Sequence, residues 1–420
     1  MHLKAFGYGR FLVVAAVIFI GLVVTLICVG FDEPAYDDRA LLPVSTRAVA
    51  LAPHKNAFYF YQQAQGKIQA LGDNTRQRLK DMVAGKVAWD AQFAAQLLKQ
   101  NHSALALFEQ GQHLPHFQLP KAKARQGAGE APYPMSLYKF QILIDLKRLQ
   151  IELLKRQGKE QQSLQEIFGL MKIAQQLREN DFGNDLLTLA VRKRVQDQAL
   201  DELVSLLQSS KLPSAVLKDT ISRLEGARDN TAHLVETLKL DYQQSVPNQA
   251  VDSAMQGLRE SSGNSKAAGV FYFFLPNQTK RIVAQYYEQL IINLEAPYWR
   301  PSQATIQPVA WWNVWMPNLL GRVTLDVSLP RYGDLPRSTL HVPNTRISLI
   351  QTWIALKCYK AEHGQWPNAL SALTPRYLPT VPIDTLTGEP IQYDLQGGTI
   401  YSAAKQAHES QLTMRFKPGH

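Results

Sequence analysis

Cysteine is nearly missing from this chain of 420 residues: there are two, Cys28 inside an apolar run and Cys358 in a distant helical pattern. A disulfide framework and a cysteine-rich zinc site are thereby excluded, and Cys358 is expected to be a small core residue. Charge is sparse as well, at 19% of residues against 45% hydrophobic, with neither proline nor glycine in excess. That balance excludes disorder, collagen-like repeats and low complexity for most of the chain. Motifs of known chemistry are also missing. There is no Gly-x-Ser-x-Gly, no phosphate-binding loop, no Gly-x-Gly-x-x-Gly after a strand and no His-Glu-x-x-His, so no catalytic residue, cofactor or metal is assigned.

The most legible feature that is present is Phe11 to Phe31, FLVVAAVIFIGLVVTLICVGF, which carries no charge. As a helix it spans about 30 Å, the thickness of a hydrocarbon core. A cleaved signal peptide would have a shorter apolar region ending in an A-x-A-like site, and the exit here reads Cys28-Val-Gly-Phe-Asp-Glu. A lipobox before Cys28 is poor, because Thr25 stands where Leu is expected. Lys4 and Arg10 precede the run, whereas Asp32, Glu33, Asp37 and Asp38 come after it. The positive-inside rule then turns everything after residue 31 outward, and no second run of this kind exists. The expectation is a single-pass inner-membrane protein with its bulk extracytoplasmic, in a periplasm-like space.

The balance of 45 Lys+Arg against 35 Asp+Glu gives +10. The basic clusters Lys121/Lys123/Arg125, Lys147-Arg148 with Lys155-Arg156 and Lys159, and Arg192-Lys193-Arg194 are interleaved with Glu152, Glu160 and Asp197. They read as solvated helix faces, with phosphate-rich envelope polymers as the alternative partner and nucleic acid excluded by the outward placement. Glu225 with Asp229, and Asp241 with Tyr242, likewise read as ordinary helix-surface residues. Ser136-x-x-Lys139 and Ser402-x-x-Lys405 match a Ser-Lys pattern without its companion motifs, and Pro115 puts His113-x-x-His116 in a loop.

Apolar spacings of three and four predict helices over 56–71, 75–84, 90–110, 135–157, 160–179, 184–209, 213–227, 231–244, 276–294 and 346–361. Asp90 and Asn184 suit N-caps, Pro213 suits a first turn, and Gly158 and Gly183 mark breaks. Loops are expected at 113–134 and 248–268. No internal repeat of solenoid period is found. The connector holds Trp299, Trp311, Trp312 and Trp315. Trp311, Trp312 and Trp315 are a candidate interaction surface; the competing reading has these rings sealing the helical domain against the C-terminal segment.

Near the C-terminus, His363-Gly364 ends a helix and Asp384 opens an Asx-type turn. Ile391, Tyr393 and Leu395 alternate before Gly397-Gly398 and return as Ile400-Tyr401, which predicts a β-hairpin. The combination Tyr359, Gly364, Trp366-Pro367, Leu370-x-x-Leu373, Tyr377-Leu378-Pro379, Asp384, Gly388, Pro390, Tyr393 and Tyr401-Ser402 resembles the globular end of type II secretion major pseudopilins. It is also similar to the end of large uncharacterised bacterial membrane-anchored proteins, whose Asn-Pro-x-Gly-Arg-like element would correspond to Pro317 to Arg322. The likeness covers about 60 residues and rests largely on turn positions. Most of the chain separates this module from the span, and Ala15 stands where a pseudopilin has Glu, so the resemblance does not imply pilus assembly. Nor is a calcium site carried over, since Glu409 is the only carboxylate side chain after Ser402.

The expected fold is mainly α: an N-terminal transmembrane helix, an irregular helical bundle or hairpin stack, and a small C-terminal α+β module with a β-hairpin. The blocks are 1–31 cytoplasmic tip and anchor, 32–55 stalk, 56–296 helical domain, 297–343 Trp-rich connector, 344–402 module and 403–420 tail. The expected partners are the membrane, through residues 11–31, and an envelope protein; oligomeric state is open. The functional expectation is an anchored structural or interaction protein of the bacterial envelope, without evident catalysis. The alternative is an envelope enzyme or ligand-binding protein with a pocket between helical domain and module.

Overall fold

A computed structural model describes residues 33–42, 51–119, 135–178, 186–210, 212–244, 275–300, 335–404 and 412–415, together with Phe19 and Asn318. Among these, no helix is long and apolar enough to cross a membrane. The run Phe11–Phe31, Phe19 apart, lies outside the described residues, as do Trp311, Trp312, Trp315 and most of the two expected loops.

The described chain is mainly helical. In order it runs α1 Ala57–Lys67, α2 Asp73–Val83, α3 Ala91–Gln100, α4 His102–His113, α5 Leu137–Arg156, α6 Glu160–Arg178 and α7 Leu186–Ser209. It continues with α8 Ser214–Gly226, α9 Thr231–Gln244, α10 Pro276–Glu295 and α11 Leu335–His363. Strands β1 Gln392–Asp394, β2 Thr399–Tyr401 and β3 Thr413–Arg415 form one antiparallel sheet in that order.

Local chemistry explains most boundaries. Asn56, Asp90 and Ser136 each accept a backbone N–H in the first turn of their helix, satisfying a donor that the helix itself cannot. After α5, Gly158 takes φ +72 and a Schellman pair forms, Lys159 N–H to Leu154 O and Gly158 N–H to Lys155 O. The helix expected over 90–110 is instead two helices. Buried Asn101 separates them, its side chain donating to Leu97 O and accepting from Gln69 N–H, so it competes for backbone groups that a continuous helix would use.

The chain forms two compact units, 1–44 with 238–295 and 302–335, and 45–237 with 296–301 and 336–420. In the first unit, Glu33, Tyr36 and Asp38 belong to the stretch expected as a stalk, and all three bond to α10. Glu33 takes Arg281 at 2.5 and 2.7 Å, Tyr36 donates to Glu288 at 3.0 Å, and Asp38 pairs with Lys280 at 2.9 Å. The Arg281 guanidinium holds the Glu33 carboxyl below its usual range. Asn318 of the family-like element is wholly buried at φ +63 and accepts from Leu275 N–H at 2.8 Å, which fixes the start of α10.

In the second unit one apolar core runs from Phe58 and Tyr61 through α5 to α7, along α11 and into the sheet at Ile400 and Met414. The helical stretch and the C-terminal module therefore share a single interior. Phe140 meets Tyr61 and Phe108 edge to face, and Tyr61 and Phe108 meet at a tilt, filling one end of it. Gln176, fully buried, accepts from the Tyr61 hydroxyl and donates to Gly111 O at 3.0 Å and Leu114 O at 2.5 Å.

Two further expectations need correction here. The helix expected from 346 begins at Leu335 and carries Pro343 within it. Nearly every residue from 336 to 356 is buried, and packing on that scale outweighs the missing N–H of one proline. Part of the expected tail is strand, with Ile400 opposite Met414. A three-residue edge strand has no periodicity of its own to announce it.

Candidate functional site

Among the described residues, one arrangement of charge lines a cavity. A cavity of about 250 Å3 opens between α6, α7, α8 and the turn 227–230, all within the second unit. Its polar lining comprises Lys172, Gln175 and Arg178 from α6, Arg192 and Gln196 from α7, Arg223 from α8, and Asp229 from the turn. Apolar atoms of Phe168, Met171 and Ala174 complete the wall.

Asp229 and the three arginines each have a partner in the wall. Arg192 is 3% exposed and donates to Asp229 at 2.8 Å, and Arg178 stands 3.7 Å from the other carboxylate oxygen. The Arg223 guanidinium lies 3.6 Å from the centre of the Phe168 ring, stacked on the apolar wall. The turn carrying Asp229 is fastened on several sides. Asn344 on α11 accepts from Asp229 N–H at 3.1 Å and donates to Asp229 O at 2.9 Å. Arg178 donates to Arg228 O at 2.9 Å and Gln196 to Ala227 O at 3.1 Å. Arg228 itself reaches Asn344 O, Ser348 and Gln351 on α11. A carboxylate so held, with two guanidiniums around it, is a rigid feature rather than a surface charge.

Burial governs the protonation of this cluster. It pushes the Asp229 carboxyl above its usual range, against the pull of Arg192 and Arg178. Burial and then the same two arginines lower His233, on the first turn of α9, to about 4. Among the described residues, His233 Nε2 is buried without a partner, and so is Nε of Arg192.

The reading of the basic clusters as solvated faces is therefore wrong for several members. Lys147 is fully buried between Glu109 at 2.7 Å and Glu166 at 2.6 Å. Arg148 reaches Glu202 at 2.9 Å with both side chains largely covered, and Arg192 is buried as above. Asp229, read as a helix-surface residue, lies in an interhelical turn and is 8% exposed. One sequence cue was available: Asn230 comes immediately after it and accepts from His233 N–H at 2.9 Å, the mark of an N-cap whose predecessor leaves the helix.

One of the positions that carry the pseudopilin resemblance, Asp384, forms a second polar node. Asp384 is fully buried; it accepts from Ser402 Oγ at 2.5 Å, Thr345 Oγ1 at 2.9 Å and Leu386 N–H at 2.9 Å. Tyr393 donates to Pro367 O at 2.8 Å, Tyr377 donates to Glu362 at 2.6 Å, and Tyr359 stacks on His363. Trp366 lies beside Trp353 with centroids 6.2 Å apart. Gly388 sits at φ +80, a conformation that favours glycine, and the exposed Trp299 ring lies over it where a Cβ would be. Gly364 is also at positive φ, whereas Pro379, Pro390 and Tyr401 are exposed or half-buried turn and strand positions.

The serines of the two Ser-Lys patterns have structural duties, and Lys405 lies outside the described residues. Ser136 caps α5 and Ser402 spends its proton on Asp384. His113 ends α4, and the His116 carbonyl accepts from Ala57 N–H. Cys358 is fully buried in the core, where burial raises its thiol. Among the described residues no three His, Cys, Asp or Glu side chains gather as metal ligands. No protein-family model, no curated protein and no solved structure matches the chain.

Proposed function

We propose that this chain is a single-pass, outward-facing protein of the bacterial envelope whose role is structural or interaction-based, with the pseudopilin-like C-terminal module serving to lock its helical domain. The anchor rests on the apolar run 11–31 and on the charges that flank it. Glu33, two residues past that run, is tied to Arg281, so the unit built on α10 is joined directly to the anchor.

The observation that carries the locking role is the shared core, with Asp384 as its polar node. The carboxylate gathers a hydroxyl from α11, a hydroxyl from the end of β2 and a backbone N–H from its own turn, which joins the three parts of the module. Arg346 continues the link to α7 through Asp197 at 3.1 Å and Asp201 at 2.5 Å.

Fractionation and protease shaving test the placement. The full chain is expected in the membrane fraction after alkaline extraction and to be digested in intact spheroplasts, while a version lacking residues 1–31 is expected in the soluble fraction. Recovery of the full chain as a soluble protein, or its protection in spheroplasts, would overturn the reading. A ligand-binding role is the second reading, favoured by the cavity around Arg192.

A further inference from the structure

A buried arginine–aspartate pair is ordinarily self-contained: one guanidinium, one carboxylate, and the remaining polar atoms bonded to backbone. The cavity between α6, α7 and α8 departs from that pattern. Four cationic side chains, Lys172, Arg178, Arg192 and Arg223, face it with the single carboxylate Asp229. Arg192 is 3% exposed, and yet its Nε has no partner among the described residues. Desolvating a cation without full compensation is costly, so a site that buries Arg192 in this way and gathers three more cations around the same open space is arranged for a counter-charge that enters from outside.

The cavity also has the size and rigidity of a site. Its 250 Å3 corresponds to roughly eight waters at about 30 Å3 each, room for a tetrahedral oxyanion and a small substituent. Asn344, Gln196 and Arg178 hold the turn 227–229 in place, and Phe168 supports Arg223, so binding requires little reordering.

We propose that this cavity is a binding site for a phosphoryl group, in which buried Arg192 and half-buried Arg178 supply guanidinium donors and Lys172 and Arg223 flank the anion at the rim. Guanidinium N–H groups suit phosphate oxygens in number and geometry. The charge count favours a dianion over a carboxylate, because one carboxylate is already present and leaves the site strongly positive. Asp229 acts as a positioning residue that orients Arg192 and Arg178. The inference does not depend on the anchor, since every residue involved belongs to the second unit.

The test uses the full chain in detergent micelles, with inorganic phosphate as the probe and chloride at matched ionic strength as the control. Calorimetric titration should register phosphate binding to the wild type. The double variant K172Q/R223Q gives up the stacking of Arg223 on Phe168 but no described hydrogen bond between helices; it should stay folded, with the helical circular dichroism of the wild type, and bind phosphate at least about tenfold more weakly. R192Q should abolish binding, with the rim variant deciding the matter if R192Q does not fold. Glycerol 3-phosphate and a short-chain phosphatidic acid then separate a soluble ester from a lipid headgroup as the source, and glycerol alone should not bind. No phosphate binding to the wild type, or equal binding to wild type and K172Q/R223Q, would overturn the proposal.

Discussion

Ser402 donates its hydroxyl proton to Asp384 across 2.5 Å, and both residues are fully buried. The two lie on opposite sides of the hairpin, so the bond fastens the end of β2 to the turn that precedes β1. Asp384→Ala would leave the hydroxyls of Ser402 and Thr345 and the N–H of Leu386 without their acceptor. Urea unfolding of the full chain should show a loss of about 3 kcal/mol or more, and Asp384→Asn, which keeps an acceptor oxygen, a smaller one. Equal and small losses for both would show that the node contributes little.

Lys147 illustrates a different balance. With its ammonium fully buried between Glu109 and Glu166, the single change Lys147→Ala strands two carboxylates at the junction of α4, α5 and α6. With Glu109 37% and Glu166 26% exposed, water screens part of the charge left behind, and a cost of about 1–3 kcal/mol is expected. The triple change Lys147→Met, Glu109→Gln, Glu166→Gln should recover most of it, because burying apolar and neutral groups there avoids the desolvation of charge. Thermal unfolding of both variants compares the two directly, and failure of the triple variant to recover would mean that the ion pairs are net stabilising.

Gln176 is the buried amide on which Tyr61, Gly111 and Leu114 converge. Replacing it with Leu preserves volume and removes three partners at once, with an expected loss of about 2–4 kcal/mol. The same amide positions the chain that leaves α4. Hydrogen exchange should therefore accelerate at Gly111 to Leu114 in Gln176→Leu; unchanged protection there would contradict the assignment.

Two histidines set a pH dependence. Burial first, then Arg192 and Arg178 for His233 and Arg337 for His341, hold each ring at about 4, below the ordinary 6.5. Between those values the unfolded chain binds more protons than the folded one, so this contribution to stability is complete above pH 6.5 and is lost as pH falls toward 4. The unfolding midpoint should drop from pH 7 to pH 5, and less steeply in the double variant His233→Leu, His341→Phe. Parallel slopes for wild type and double variant would assign the dependence to carboxylates instead.

Much of the helical architecture was legible because its determinants are local. The spacing of Phe58, Tyr61 and Ala64, the cap at Asp90, the stop at Gly158 and the reversal at Gly397-Gly398 each act within one or two turns of chain, and the helices and hairpin stand where those signals put them. The break at Asn101 was present in the sequence too, but a lone Asn within an apolar pattern becomes a break only when Gln69 arrives from another element to use it. The entry of α11 through Pro343 and the third strand depended on partners far along the chain.

The candidate site belongs wholly to that second category. Arg192, Lys193 and Arg194 are neighbours of like charge, and nothing in their order distinguishes the buried one from the others. By itself the sequence determined helix, turn and hairpin, since backbone preference, capping and apolar period are settled over a few residues. Only the tertiary structure decided which charges left water, since burial depends on how α6, α7 and α8 pack with the turn at Asp229 and Asn344 on α11, a juxtaposition of elements far apart along the chain.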